Sequence, residues 1–178
     1  MKNNKNGIST YQLTIDAMLA AMVALLGYIS VDATVFKVTF ESLPILIGSF
    51  LLGPLDGMLV GGIGTLIYQL LRYGFSYTTV LWMLPYILAG LMCGLIAKKN
   101  KFELSRKTIL ITTLIAELII SVLNTGVIYL DSKINHYYYA GIILGSLALR
   151  LGIAVAKGLV FGAVLPYFLA AIKKIKQK

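Results

Sequence analysis

The apolar residues of this 178-residue chain fall into six runs, approximately 11–31, 42–53, 56–72, 79–97, 108–130 and 149–172, with little sequence between them. No stretch is left over for a separate soluble catalytic or ATP-binding domain. Hydrophobic residues make up 58% and charged residues 13%, against about 45–50% and about 25% in soluble domains. In lipid every backbone N–H and C=O must be satisfied within the chain, which favours helices. No alternating pattern of outer-membrane strands is seen. The sequence therefore reads as an all-α, polytopic membrane protein, one integral membrane domain over residues 1–178.

The second run decides the topology. Ser42–Leu52 is short for the ~30 Å of a hydrocarbon core, which takes roughly 20 helical residues. Gly53-Pro54-Leu55-Asp56-Gly57 separates it from the third run with turn chemistry, so the stretch is split there. Basic residues gather at Lys2 and Lys5, at Lys98, Lys99, Lys101, Arg106 and Lys107, and at Lys173, Lys174, Lys176 and Lys178. With the split, all three groups fall on one side of the membrane. The positive-inside rule then gives a six-transmembrane-helix bundle with both termini cytoplasmic. The net charge of +9 is thereby a topology signal, and no nucleic-acid partner is expected. The first run continues to Val31 without a usable cleavage site and reads as a retained span.

Enzymatic chemistry finds no residues to carry it. Cys93 is the only cysteine and His136 the only histidine, which leaves no cysteine-based metal site. Walker A, H-E-x-x-H and G-x-S-x-G motifs are absent. Gly62-Ile63-Gly64 lacks the strand–helix context of a nucleotide loop. No catalytic residue, metal or cofactor is expected.

Small residues have a membrane meaning instead. Gly53/Gly57, Gly57/Gly61, Gly90/Gly94, Gly141/Gly145 and Gly158/Gly162 are four apart and suit close helix packing. Ala17 and Ala21, and Ala20 and Ala24, make a smooth stripe on the first span. Such a stripe fits either internal packing or the docking of a partner helix.

The outer side holds residues 32–41, 73–78 and 131–148. Aromatic and charged residues concentrate there: Phe36, Lys37 and Phe40; Arg72, Tyr73, Phe75 and Tyr77 with Trp82 a turn later; Asp131, Lys133 and Tyr137–Tyr139. An interfacial aromatic belt explains part of this. Aromatics among cations also suit a flat anionic ligand that stacks and pairs. Within the spans, Arg150 and Lys157 are seven apart on one face of the last helix, and Glu117 and Asn124 are seven apart on the fifth. Charged groups at this depth are costly and point to function, though a Glu117–Lys157 pair that only holds the bundle is the competing reading. Glu41 and Asp32 flank the first outer loop and suit the protons of an aminopyrimidine-type ring, or simple solvation.

Six short spans, an alanine stripe on the first and a glycine-rich middle resemble the substrate-binding S-components of energy-coupling factor (ECF) vitamin transporters. The resemblance covers nearly the whole chain. The folate-specific branch is the most similar in several segments: Val38-Thr39-Phe40 into Leu43-Pro44, Leu52–Gly57 with the small-residue helix to Gly64, Leu88–Leu95, Asn124-Thr125, and Leu149-Arg150-Leu151. The chain departs from that branch at Thr65–Tyr68, where an acidic residue is common, and in the proline-free segment Arg72–Thr79. The resemblance implies a folate-binding subunit that works with a transmembrane coupling subunit (T-component) and two ATPase subunits in a prokaryotic plasma membrane. It also implies docking through Ala17 and Ala21, with Ala20 and Ala24 as the alternate register, and toppling of the loaded subunit. The pterin would stack on Phe36, Phe40, Tyr73 and Trp82. Arg72, Arg150 and Lys157 would serve the carboxylates or the pterin carbonyl, and Glu41 or Asn124 the ring nitrogens. An S-component for pantothenate, a pyridoxine relative or a thiamine precursor, and a purely structural membrane protein, are the alternatives.

Overall fold

The computed structural model describes residues 10–32, 37–136 and 145–176. Among them are six helices: α1 (Thr10–Tyr28), α2 (Ser42–Leu51), α3 (Pro54–Tyr73), α4 (Thr79–Lys99), α5 (Arg106–Ile134) and α6 (Leu147–Lys176). A two-stranded antiparallel ribbon, β1 (Val31–Asp32) and β2 (Lys37–Val38), lies between α1 and α2 and pairs Val31 with Val38. Five helices are long and apolar enough to cross a membrane, and α2 is the short one. At about 1.5 Å per residue, its 10 residues reach only about 15 Å. Eight of them are buried, so α2 is a core element wrapped by its neighbours. The fifth span is longer than the sequence reading, running to Ile134 rather than 130. Asn124 therefore sits well inside that helix.

Local chemistry sets the boundaries. Gly53 carries φ 125°, a conformation that side chains disfavour, and Pro54 then opens α3 at its first position, where its missing N–H costs nothing. Asp56 lies in that first turn, on the favourable end of the helix dipole. The Ser105 hydroxyl caps α5 by accepting the Thr108 amide at 3.1 Å. The α4–α5 turn places Lys101 and Phe102 at positive φ, and the Phe102 amide closes on the Ala97 carbonyl at 2.8 Å.

Contacts at the helix ends show that successive helices alternate in direction. One end of the bundle gathers Gln12 of α1 with Asp56 of α3, Gly94 of α4 with Pro54, and Arg106 of α5 over the Tyr167 ring of α6. The other gathers Gly27 of α1 with Glu41 and Tyr68, and Thr78 before α4 with Asp131 of α5. Lys98, Lys99, Lys101, Arg106 and Lys107 lie at the first end, with Lys174 of α6.

Glycine makes the close approaches. A Cβ on Gly57 would stand 2.7 Å from the Gly90 carbonyl oxygen, and one on Gly61 2.8 Å from that of Tyr86. On α6, Gly158 and Gly162 would each meet α5 at 2.9 Å, on the Cα atoms of Leu114 and Leu110. Gly64 of α3 receives Ala20 of α1, whose carbonyl oxygen would be 2.8 Å away. These contacts yield dispersion energy where lipid supplies no hydrophobic drive. Gly90→Val forces α3 and α4 apart and should destabilise the bundle by about 3 kcal/mol, the upper end for overpacking. Gly126, with nothing within 4 Å, is the control: Gly126→Ala should leave thermal unfolding in detergent unchanged or slightly raised.

One buried group at the first end works against stability. Asp16 is 5% exposed and neither carboxylate oxygen has a hydrogen-bond partner. Asp56, equally buried, lies beside it and takes the Gln12 amide. An unsatisfied buried charged group costs about 1–3 kcal/mol or more. Asp16→Asn should therefore raise the melting temperature, and a fall would show that the carboxylate has a stabilising partner.

Candidate ligand site at the hairpin end

A polar cluster assembles in the bundle interior at the end where α2 begins. Glu41 stands immediately before α2 and is 2% exposed, so solvation does not explain it. One carboxylate oxygen, Oε1, accepts from Thr39 Oγ1 at 2.7 Å and from the Tyr86 hydroxyl. The other, Oε2, is buried without a partner. Asn124 Nδ2 donates to the Tyr86 oxygen at 3.3 Å, and Asn124 Oδ1 is again buried without a partner. The direction of this chain follows from the chemistry. Tyr86 has one proton and gives it to the carboxylate, the stronger acceptor, so Asn124 must donate to Tyr86 and its carbonyl is left over. The cluster thus offers two spare acceptors, Glu41 Oε2 and Asn124 Oδ1.

Burial pushes the Glu41 carboxyl up from its ordinary value. The hydrogen bonds from Tyr86 and Thr39, and the charges of Lys157 and Lys37, pull it back. Next to it, Ser42 donates to Glu117 Oε1, and Lys157 Nζ pairs with Glu117 Oε2 at 3.0 Å. The Lys157 ammonium lies 5.7 Å from the Phe161 ring centre, and Phe161 tilts against Phe40 at 6.2 Å. Four elements converge here: the start of α2, α4, α5 and α6.

A second cluster hangs from the hairpin. Lys37 of β2 donates to the Tyr68 hydroxyl and to that of Tyr73 at 2.9 Å, and lies 4.8 Å from the Tyr68 ring centre. Arg72 donates to the Tyr28 carbonyl at 2.9 Å and lies 5.8 Å from the Tyr28 and Tyr73 rings. The clusters meet at Gly27, whose Cβ would be 2.9 Å from both Glu41 Oε2 and the Tyr68 ring. Only a glycine of α1 lets carboxylate and ring come this close.

Of the residues singled out from sequence, Phe40, Glu41, Asn124 and Lys157 come together, and Arg72 and Tyr73 form part of the adjoining cluster. Trp82 is half-buried near the start of α4. Arg150 is half-buried in the first turn of α6, its Nε donating to Ser146 at 3.1 Å. Phe36 lies outside the described residues. Thr39, Tyr68 and Tyr86 join these clusters in addition to those residues. The two tyrosines carried a signal in the sequence, since a phenol inside a span needs a hydrogen-bond partner.

On α1 the two alanine registers part company. Ala20 and Ala24 are 4% and 6% exposed, taken up by the bundle's own packing. Ala17 and Ala21 are exposed, flanked by Met18, Met22 and Leu25, which are also exposed.

A family model described as "ECF transporter, substrate-specific component" matches residues 11–176. Among curated proteins no relative matches the sequence. Several solved structures share the fold. FolT bound with folic acid has a TM-score of 0.62 at 20% identity, covering 89% of this chain and 95% of that one. The S component of a bacterial ECF transporter has 0.62 at 21%, covering 94% and 98%. The S-component for biotin from an ECF-type ABC transporter has 0.65 at 16%, covering 100% and 95%.

Proposed function

Because the chain belongs to the substrate-specific components of ECF transporters, we propose that it is the high-affinity folate-binding subunit of an ATP-driven vitamin importer. Membership makes it a multi-pass protein of the prokaryotic plasma membrane and a transport subunit rather than an enzyme, with a vitamin as ligand and T-component and ATPase subunits as partners. The choice of folate is our reading, and one observation carries it. Glu41 Oε2 and Asn124 Oδ1 are buried acceptors without donors, and such groups are costly unless a ligand supplies N–H groups. The amino group and ring N–H of a pterin offer two donors side by side. Pantothenate carries donors too, on two hydroxyls and an amide N–H, but on a flexible chain rather than fixed side by side on a rigid ring. The shared fold with FolT and the sequence segments of the folate branch support the same choice.

In this reading the pterin lies against Phe40 with Glu41 and Asn124 on its nitrogens, and Lys157 faces its carbonyl. Tyr73 and Trp82 bound the outer end of the site, while Arg72 and Arg150 take the glutamyl carboxylates. All six helices cross or enter the membrane with both termini cytoplasmic, which places the basic end inside and the hairpin end outside. Loaded protein then docks through Ala17 and Ala21 and topples, its site turning toward the cytoplasm.

A thermal-shift panel on the detergent-purified protein tests this, because a ligand that binds only the folded state raises its melting temperature. Folic acid or a reduced folate should give the largest shift. A larger shift with biotin or pantothenate would overturn folate and leave the family role intact. No shift with any vitamin, for folded protein, would favour a structural subunit without ligand.

A further inference from the structure

At the basic end, opposite the ligand site, the bundle opens a cleft of about 180 Å³ between the end of α2, the α4–α5 turn, the start of α5 and the last turns of α6. Phe50, Phe102, Leu104, Ile109, Pro166, Leu169 and Ala170 line it, and Arg106 is the one charged residue on its wall. We infer that this cleft seats one acyl chain of an anionic phospholipid, with the headgroup phosphate on Arg106.

Three observations support that occupant. The wall is apolar apart from Arg106, so a hydrated ion alone would leave most of it without a partner, whereas a hydrocarbon chain fills it. Arg106 is exposed and held over the Tyr167 ring at 5.1 Å; a guanidinium so placed offers a planar fork of donors to phosphate oxygens. The surrounding charge has the matching sign: Lys98, Lys99, Lys101 and Lys107 accompany Arg106 on one segment, with Glu103 its single acid. Basic pockets between helices at the cytoplasmic face are where anionic headgroups bind. The cleft lies on α5 and α6, away from the exposed alanines of α1, so the lipid and the coupling subunit need not compete for one face.

The test is native mass spectrometry of the full chain, released from micelles carrying equal amounts of phosphatidylglycerol and phosphatidylcholine. Phosphatidylglycerol adducts should predominate. Arg106→Gln should weaken them about fivefold, the share of one cation near the surface. Ala170→Trp, which fills the cleft from an exposed position and leaves the charge intact, should also remove them. Equal binding of the two lipids, or full phosphatidylglycerol binding in both variants, would overturn the inference. So would competition by millimolar inorganic phosphate, which would mean an anion site that holds no chain. Protection of the cleft only when the coupling subunit is added would assign it to that partner instead. Folate binding by Ala170→Trp should equal that of the unmodified protein, which separates loss of the lipid from loss of the fold.

Discussion

Glu41→Gln should weaken folate binding at least about thirtyfold while the protein stays folded. The carboxylate is buried, takes two hydrogen bonds and keeps one oxygen free. The amide that replaces it turns one acceptor into a donor and removes the charge. Truncating one partner of a buried, hydrogen-bonded charged contact costs about 2–5 kcal/mol, and the low end of that range is about thirtyfold. Stability should not fall with affinity, because the substitution also removes a desolvated charge. Calorimetric titration gives the affinity and thermal unfolding the control. Tyr86→Phe is the companion variant. It leaves Glu41 Oε1 and Asn124 Nδ2 each short of a partner, so binding should weaken while the shape of the site is kept. Unchanged affinity in both variants would remove this cluster from the ligand site.

The second large effect separates binding from transport. Ala17→Trp and Ala21→Trp should bind folate as the unmodified protein does and abolish uptake in cells that also make the coupling and ATPase subunits. Both alanines are exposed on α1, so a bulky side chain meets no neighbour within the bundle. It would hold off a partner helix that needs close backbone approach. Ala20→Trp and Ala24→Trp should behave differently, since both positions are packed inside and the indole would disrupt folding first. Uptake that survives both Ala17→Trp and Ala21→Trp would move the docking surface elsewhere.

The sequence made the helices legible because lipid leaves few alternatives. Gly53-Pro54 separated α2 from α3, and structure and sequence place that turn alike. The glycine pairs were readable as packing because only small residues permit backbone contact; Gly57 and Gly90 meet in that way. The alanine stripe was ambiguous for a physical reason. Four-residue spacing puts Ala17 with Ala21 and Ala20 with Ala24, but periodicity does not say which pair faces α3. Gly64 decides it by receiving Ala20. Glu117 and Lys157 were matched by spacing on separate helices, and they form an ion pair. Arg150, a helical neighbour of Lys157 by the same spacing, is held by Ser146 instead. The phenol of Tyr86 signals in the sequence that it needs a hydrogen-bond partner, but periodicity does not say which. Only the fold brings its hydroxyl between Glu41 and Asn124, which lie 83 positions apart in the chain.

The most direct measurement uses the chain's own reporter. Trp82 is its single tryptophan and stands near the start of α4, at the end that holds the Glu41–Tyr86–Asn124 cluster. Folic acid titrated into the purified protein in lipid nanodiscs should quench Trp82 fluorescence saturably at one ligand per protein. The same titration of Glu41→Gln should need at least about thirtyfold more folate. No saturable response to folic acid or a reduced folate, with a one-to-one response to biotin or pantothenate, would contradict a folate-binding subunit.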